Sequence, residues 1–271
     1  MISKASSLSI SRQCRLLSLS RHAYYYSSSK EFTEDERIIL ARMDQLYTAH
    51  PATGYRTMAD LLIREGFDIT RKITRRYMQI LGLKSIAPYK KKQTTIRNKQ
   101  HKKFKYLVRK WDIAKSGDVW ATDITYIPFK GGFVYLTVMM DWHSRFILSW
   151  RLSTSMDTSF CIEALDEAMR YHRLPQIFNS DQGSQYTSYA FTQRLLKHGI
   201  PISMDGKGRY FDNIMVERLW RTIKHDFVYQ HEFNSVRELK MGLEDYINYY
   251  NFKRPHQSLD SKTPYEVYRG W

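Results

Sequence analysis

The amino-acid sequence predicts an α/β protein, a mixed sheet with flanking helices that follows a small all-α module. Residues 119–127 (VWATDITYI) form an almost unbroken run of β-branched and aromatic residues, typical of a central strand buried on both faces. Beyond it, two further strand-like runs come first, and then helical and strand-like segments alternate. Before residue 83 the apolar residues recur at helical spacing, which favours a separate helical module.

Residues 1–83 are predicted to be a helical, DNA-binding region. Residues 1–29 contain no acid and are rich in Ser and Arg, and we interpret them as a small helical piece that contacts DNA, with an organelle transit peptide as the alternative. Thr33 and Glu36 have the spacing of a capping box, and a second helix is expected to stop at Gly66.

Thr70 is expected to cap a third helix, which is basic. Its apolar residues, expected to be buried, are Ile73, Tyr77, Ile80 and Leu81. Its basic residues, expected to contact DNA, are Arg71, Lys72, Arg75 and Arg76. Two short helices followed by a basic one outline a helix-turn-helix, and the alternative is a basic helix that is merely solvated.

The net charge of +16 lies entirely in the first 110 residues. Residues 1–110 hold 24 Lys and Arg against 8 Asp and Glu, whereas residues 111–271 hold 19 of each. This excess indicates a long polyanionic partner, most naturally nucleic acid, with an acidic membrane surface as the rival. Residues 84–110 are predicted to be a basic linker whose candidate DNA contacts are Lys90, Lys91 and Lys92.

The rest of the composition excludes several classes of protein. No apolar run approaches the roughly 18 residues that a membrane helix needs. Two cysteines and scattered histidines give neither a disulfide framework nor a zinc site, which fits a reducing cytoplasm.

Residues 111–271 are predicted to contain the sheet. Strands are expected at residues 133–140 and 145–152, joined at Asp141, which is read as a turn residue or, less favoured, as an additional carboxylate ligand. A helix follows, then a strand that ends at Asp181, a helix between Ser188 and Gly199, and a strand at residues 200–204. Ser235 is expected to cap a long last helix.

Three acidic residues stand in apolar settings. Asp123 lies within the predicted central strand, where an unpaired carboxylate costs several kcal/mol. Asp181 follows a short apolar strand, and Glu217 lies in the first turn of a helix that Asp212 is expected to cap. A carboxylate cluster of this kind suits magnesium, and two such ions can clamp the attacking and leaving oxygens of a phosphodiester. Taken alone, Asp181 and Glu217 are also consistent with a turn cap and a surface charge.

Three motifs resemble the catalytic motifs of insertion-sequence transposases with a retroviral-integrase-type core, in particular the OrfB proteins of the IS-three family. They are residues 120–127 (WATDITYI), 180–188 (SDQGSQYTS) and the run from Asp212 to Lys224. Between Asp181 and Glu217 lie 35 residues, the spacing typical of this DDE family. Residues 203–208 and the tail around Arg254, Pro255 and His256 are also similar. One departure is Asn179, since many members carry His there.

The resemblance implies a ribonuclease H-like fold and metal-dependent strand cleavage and strand transfer at insertion-sequence ends. It implies two Mg²⁺ ions, replaceable by Mn²⁺, on Asp123, Asp181 and Glu217. Further expected DNA contacts are Lys224, Arg221, Lys207 and Arg209. Implied partners are double-stranded DNA, both terminal repeats and target, an OrfA partner or fusion, and further copies of the chain on DNA, in the bacterial cytoplasm.

Two other functions are compatible with parts of the sequence. A non-catalytic DNA-binding remnant that represses is disfavoured by the intact acids, and a structure-selective nuclease of the same fold by the basic front module. The tail from Arg254 to His256 could contact DNA or terminate a helix, and the sequence does not decide between the two.

Overall fold

The computed structural model describes residues 8–17, 32–85, 104–108, 112–205 and 214–270. The chain divides into two compact units, residues 1–41 and 42–271. The first contains helix α1 (Ile10–Leu16) and the start of helix α2 (Glu34–Ala49). The predicted capping box of α2 is present, since Thr33 and Glu36 exchange side-chain to backbone hydrogen bonds of 3.0 and 3.2 Å.

The second unit begins with two helices of the predicted helix-turn-helix, α3 (Tyr55–Arg64) and α4 (Arg71–Ile80). Thr70 caps α4 as expected. The predicted buried face of α4 is wrong in part, because Ile73 and Ile80 are 40% and 48% exposed. Thr74 and Met78 are buried beside Tyr77 instead, so the contact face is rotated toward them.

Five strands form one mixed sheet in the order β3-β2-β1-β4-β5. The strands are β1 (Val119–Phe129), β2 (Gly132–Asp141), β3 (Ile147–Ser153), β4 (Ile177–Ser180) and β5 (Ile202–Met204). The first three pair antiparallel, whereas β4 runs parallel to β1 and to β5. Strand β3 begins two residues later than predicted, because Arg145 has a φ of 63° and closes the turn.

Helices cover both faces of the sheet, as predicted. Between the strands come α5 (Ser159–Tyr171), α6 (Ser184–Thr187) and α7 (Tyr189–Lys197), and after them α8 (Ile214–Asp226), α9 (Val236–Phe252) and α10 (Pro264–Arg269). One buried cluster joins the sheet to α8 and α9, and a second joins its other face to α5 and α7. Strand β1 is therefore buried on both sides along its first half.

Helix α3 is joined to the end of the chain by polar contacts, which we call the clasp. The Arg64 guanidinium pairs with Glu266 and donates to the Ser261 carbonyl at 3.1 Å. The Ser261 hydroxyl donates to the buried Asp60 carboxylate at 2.8 Å. The clasp attaches the helix-turn-helix directly to the domain that contains the sheet.

The boundaries predicted at residues 83 and 110 stay predictions, since residues 86–103 and 109–111 lie outside the described ranges. None of the helices in the described ranges is both long and apolar enough to cross a membrane.

Candidate active site

Asp123 and Asp181 lie at the same level on neighbouring strands. Strand β1 pairs with β4 in parallel register, with Ala121 opposite Asn179. Asp123 and Asp181 each follow this pair by two residues, and the charge of Asp181 acts on the Asp123 carboxylate, so the two side chains are close together. Asp123 shares its face of the sheet with Ala121, on the side covered by α8 and α9, because alternate residues of a strand share a face. Two carboxylates thus meet where β4 ends.

The Asp181 carboxylate is fixed by a tight turn. Strand β4 ends at Ser180, and the Gly183 N–H donates to Asp181 Oδ1 at 2.8 Å. A Cβ atom at position 183 would lie 2.9 Å from the same oxygen, a distance that Cβ atoms essentially never show. Glycine is therefore required here for the Asp181 side chain to keep its position.

Glu217 lies in the first turn of α8 and remains exposed. The stripe of the same helix beside Glu217 is buried, and on it the Trp220 indole N–H donates to Asp123 Oδ2 at 2.8 Å. This hydrogen bond ties the helix that carries Glu217 to the strand that carries Asp123. Asp212, the predicted cap of this helix, lies outside the described residues.

The pKa values of the three carboxylates are raised. Burial raises the pKa of Asp123 to about 7, and the neighbouring charge of Asp181 adds to the rise, while the Trp220 hydrogen bond opposes it. Burial also raises the pKa of Asp181, against the Gly183 hydrogen bond. Partial burial raises the pKa of Glu217. Ionised carboxylates of this kind are stabilised by a cation between them.

The donor chemistry fits a hard divalent cation, because every candidate ligand is a carboxylate oxygen. The two aspartates are half-buried, and such an ion would neutralise their negative charge when they are ionised. Among the residues that the structure describes, no group of three His, Cys, Asp or Glu side chains is arranged to hold a metal ion. The two aspartates are paired by the sheet, and Glu217 does not complete a three-ligand cluster with them in this arrangement.

A buried hydroxyl network lies under the site, and sequence reasoning missed it. The Tyr186 hydroxyl, on α6, is 3.1 Å from Thr122 Oγ1 and 3.0 Å from Thr137 Oγ1. Thr137 in turn donates to the backbone carbonyl of Asp123 at 3.2 Å. The network links the helix that follows Asp181 to strands β1 and β2. The only signal in the sequence was the polar threonine within a buried strand.

Among the predicted basic contacts that the structure describes, Lys224 interacts electrostatically with Asp123. Burial lowers the pKa of Lys224, and the charge of Asp123 opposes that change. The Lys224 ammonium therefore lies within electrostatic range of the Asp123 carboxylate. Arg221 and the four basic residues of α4 are exposed. Arg71 also pairs with Asp60 at 3.1 Å. The predicted contacts Lys90, Lys91, Lys92, Lys207 and Arg209 lie outside the described residues.

Three further residues of the sequence analysis have structural partners. Asp141 is the last residue of β2, is fully buried, and accepts hydrogen bonds from the Gly117 and Ser144 N–H groups, so its side chain holds the turn that follows β2. Asn179 donates to Asp205 at 2.9 Å. Arg254 pairs with Asp226 at 3.1 Å, so the tail contacts the last residue of α8.

The sheet order, the two aspartates at its centre and the helix that carries Glu217 define a protein with an integrase-type catalytic core. The chain matches two families described as "Integrase core domain", over residues 114–209 and 198–264, and one described as "HTH-like domain", over residues 33–92.

The relatives agree with these matches. The "Putative transposase InsK for insertion sequence element IS150" of Escherichia coli (strain K12) is 30% identical over 93% of this chain and 90% of its own length. The "Transposase for insertion sequence element IS629" of Shigella sonnei is 29% identical over 95% and 90%. The chain belongs to the insertion-sequence transposases of the IS-three family, of the OrfB type.

A solved structure shows the same fold. The chain resembles the simian T-cell lymphotropic virus intasome, determined in complex with PP2A regulatory subunit B56 gamma, with a TM-score of 0.50 and 16% identity. The likeness covers 83% of this chain and 74% of that one. The predicted ribonuclease H-like fold with a helix-turn-helix in front of it is therefore confirmed.

Proposed function

We propose that this chain is a metal-dependent DNA transposase that cuts and joins strands at the ends of its own insertion sequence. Asp123, Asp181 and Glu217 would hold two Mg²⁺ ions, with Mn²⁺ as a substitute. The single observation that supports this most strongly is the pair of half-buried aspartates at the end of β4, because a bound cation would offset their neighbouring negative charges. Family membership supplies the reaction class, a polynucleotidyl transfer.

The three carboxylates would have different roles in holding the ions. When bound, the ions would activate water or a DNA 3′-hydroxyl and stabilise the leaving oxygen. Asp123 and Asp181 are held rigidly, one by Trp220 and the other by the Gly183 turn. Glu217 lies on the exposed start of α8, so closure of the cluster requires this helix end to approach the pair. We expect DNA binding to accompany that approach.

DNA would be held by two basic surfaces. Lys224 and Arg221 lie on α8 beyond Glu217, where they can meet phosphates beside the metal ions. The exposed basic residues of α4 lie in the HTH-like domain and would bind the terminal repeat. We also propose that the chain acts with an OrfA partner or as a fusion to it, and that several copies of the chain assemble on DNA.

The test is cleavage of a labelled duplex that carries the terminal repeat flanking the gene. Asp123→Asn, Asp181→Asn and Glu217→Gln should each abolish cleavage in Mg²⁺ or Mn²⁺ while leaving DNA binding intact, because ligation needs the charge and the basic surfaces supply affinity. Matched controls are Asp112→Asn and Glu244→Gln, which change exposed acids. Substantial cleavage by any of the three site variants would refute the assignment.

A further inference from the structure

The buried Trp220 indole contacts a charged group. Trp220 is 7% exposed and packs in the cluster that joins the sheet to α8 and α9. Its Nε1–H donates to the Asp123 carboxylate at 2.8 Å. Hydrogen bonds from a neutral donor to an ionised acceptor are stronger than those between neutral groups, particularly away from water.

Trp120 offers a direct comparison within the same domain. Its side chain is fully buried, on β1, three residues before Asp123. Its Nε1 finds no hydrogen-bond partner among the described residues. An indole in this core therefore does not need a polar partner to be tolerated, and packing alone does not explain why the Trp220 N–H points at a carboxylate.

The position of Trp220 gives its hydrogen bond a second effect. Trp220 follows Glu217 by three residues, so the two side chains lie about one turn apart on α8. By holding Asp123 Oδ2, the indole sets both the orientation of that carboxylate and the distance between α8 and β1 at the level of the site. Both quantities decide whether Glu217 can share an ion with Asp123.

We infer that Trp220 is a positioning residue for the metal site, acting through Asp123 and through the placement of α8. The inference rests on the proposed function. Groups that hold a ligand carboxylate by hydrogen bonding typically change metal affinity or activity by about 10–100-fold when they are removed. The indole itself touches neither DNA nor ion in this role.

Trp220→Phe tests the inference in the full-length protein. The variant keeps an aromatic ring in the core and removes the N–H donor. Trp120→Phe is the matched control, because it removes a buried indole whose N–H makes no hydrogen bond within the described part of the chain. Two quantities are measured in the absence of DNA, the affinity for Mn²⁺ by calorimetry and the rise in melting temperature that Mn²⁺ produces. With DNA, the Mn²⁺ concentration that gives half-maximal cleavage is compared with the KM for DNA.

We expect Trp220→Phe to bind Mn²⁺ about 10-fold or more weakly, to need correspondingly more Mn²⁺ for cleavage, and to keep its KM for DNA. Trp120→Phe should keep the parent's Mn²⁺ affinity, whatever stability it loses. Equal Mn²⁺ affinity in the parent and Trp220→Phe would overturn the inference and reduce Trp220 to a core residue. Failure of the parent itself to bind Mn²⁺ or to cleave would instead refute the proposed function.

A spectroscopic measurement covers the case in which Trp220→Phe does not fold. The chain has six tryptophans, and ¹⁵N labelling of their indoles gives one N–H signal for each. The signal most displaced by Asp123→Asn identifies Trp220, and in the parent the same signal should move most on addition of Mg²⁺. A Trp220 signal that Mg²⁺ leaves in place while other indole signals move would overturn the inference.

Discussion

Replacing Asp123 by Asn should stabilise the metal-free protein although it abolishes cleavage. The pKa of Asp123 is raised from an ordinary 3.8 to about 7, mainly by burial. At about 1.4 kcal/mol for each tenfold change in proton affinity, ionised Asp123 costs the folded state roughly 4 kcal/mol. The Asn amide N–H₂ adds a buried donor that costs about 1–3 kcal/mol if unpaired. The net gain is therefore about 1–3 kcal/mol.

The sign of the pH dependence follows from the raised pKa. Below about pH 4, Asp123 is protonated in the folded and the unfolded protein, and ionisation costs nothing. As the pH rises toward about 7, the unfolded chain loses the proton while the folded site keeps it, so the stability of the parent falls. Above about pH 7 the full cost is present. The advantage of Asp123→Asn should therefore be large at pH 8 and small at pH 5.

Thermal unfolding in EDTA measures this difference. At about 2–4 °C per kcal/mol for a domain of this size, Asp123→Asn should melt about 5 °C above the parent at pH 8. Mn²⁺ should raise the melting temperature of the parent and not that of the variant. The control is Asp157→Asn. Hydrogen bonds from Ser155 and Ser159 lower the pKa of this exposed acid, so its ionised form stabilises the folded state and the substitution should lower the stability. A variant no more stable than the parent at pH 8, or equally favoured at pH 5, would refute the reasoning.

Three further changes test neighbouring parts of the proposal. Gly183→Ala should weaken Mn²⁺ binding and cleavage together, because its Cβ would lie 2.9 Å from Asp181 Oδ1; parent-like Mn²⁺ affinity would show that the carboxylate has room to move. Lys224→Ala should bind metal and cleave weakly, with the salt slope of end binding lowered by about one unit, whereas an unchanged profile would leave Lys224 without a role. Lys72→Ala and Arg76→Ala should each lower that slope by about one unit without changing the melting temperature, and equal binding at all salt concentrations would remove α4 from the DNA surface.

The fold was largely predictable because its signals are local. The apolar run around Asp123, the caps at Thr70, Ser188 and Ser235, and the alternation of strands and helices each depend on a few adjacent residues. Ile73 and Ile80 were placed wrongly because periodicity shows which residues share a helical face, and not how far the neighbouring helix extends over it.

The acids of the candidate site could be predicted from the sequence, whereas the hydrogen bonds that position them could not. Polar residues in apolar settings identified Asp123 and Asp181, since such a setting is costly without a partner. The hydrogen bond from Trp220 to Asp123 joins residues 97 positions apart, and Trp220 fits its helical core stripe equally well without it. Tyr186 is likewise an ordinary aromatic core residue until its hydroxyl is seen between two threonines. Contacts of this kind depend on tertiary packing, which spacing along the chain does not encode.

The clasp between α3 and the end of the chain has a consequence for where the DNA is cut. Arg64 and Asp60 hold Glu266 and Ser261, so the basic helix α4 is mounted on the same body as the two aspartates. If α4 binds the terminal repeat, as proposed, the cut should fall at a constant number of base pairs from the bound sequence. Inserting about five base pairs of DNA, half a helical turn, between the bound sequence and the cleavage point should therefore abolish cleavage at the original point and leave any cut at its original distance from the bound sequence. Arg64→Ala, which breaks the clasp, should make the distance between the bound sequence and the cut more variable.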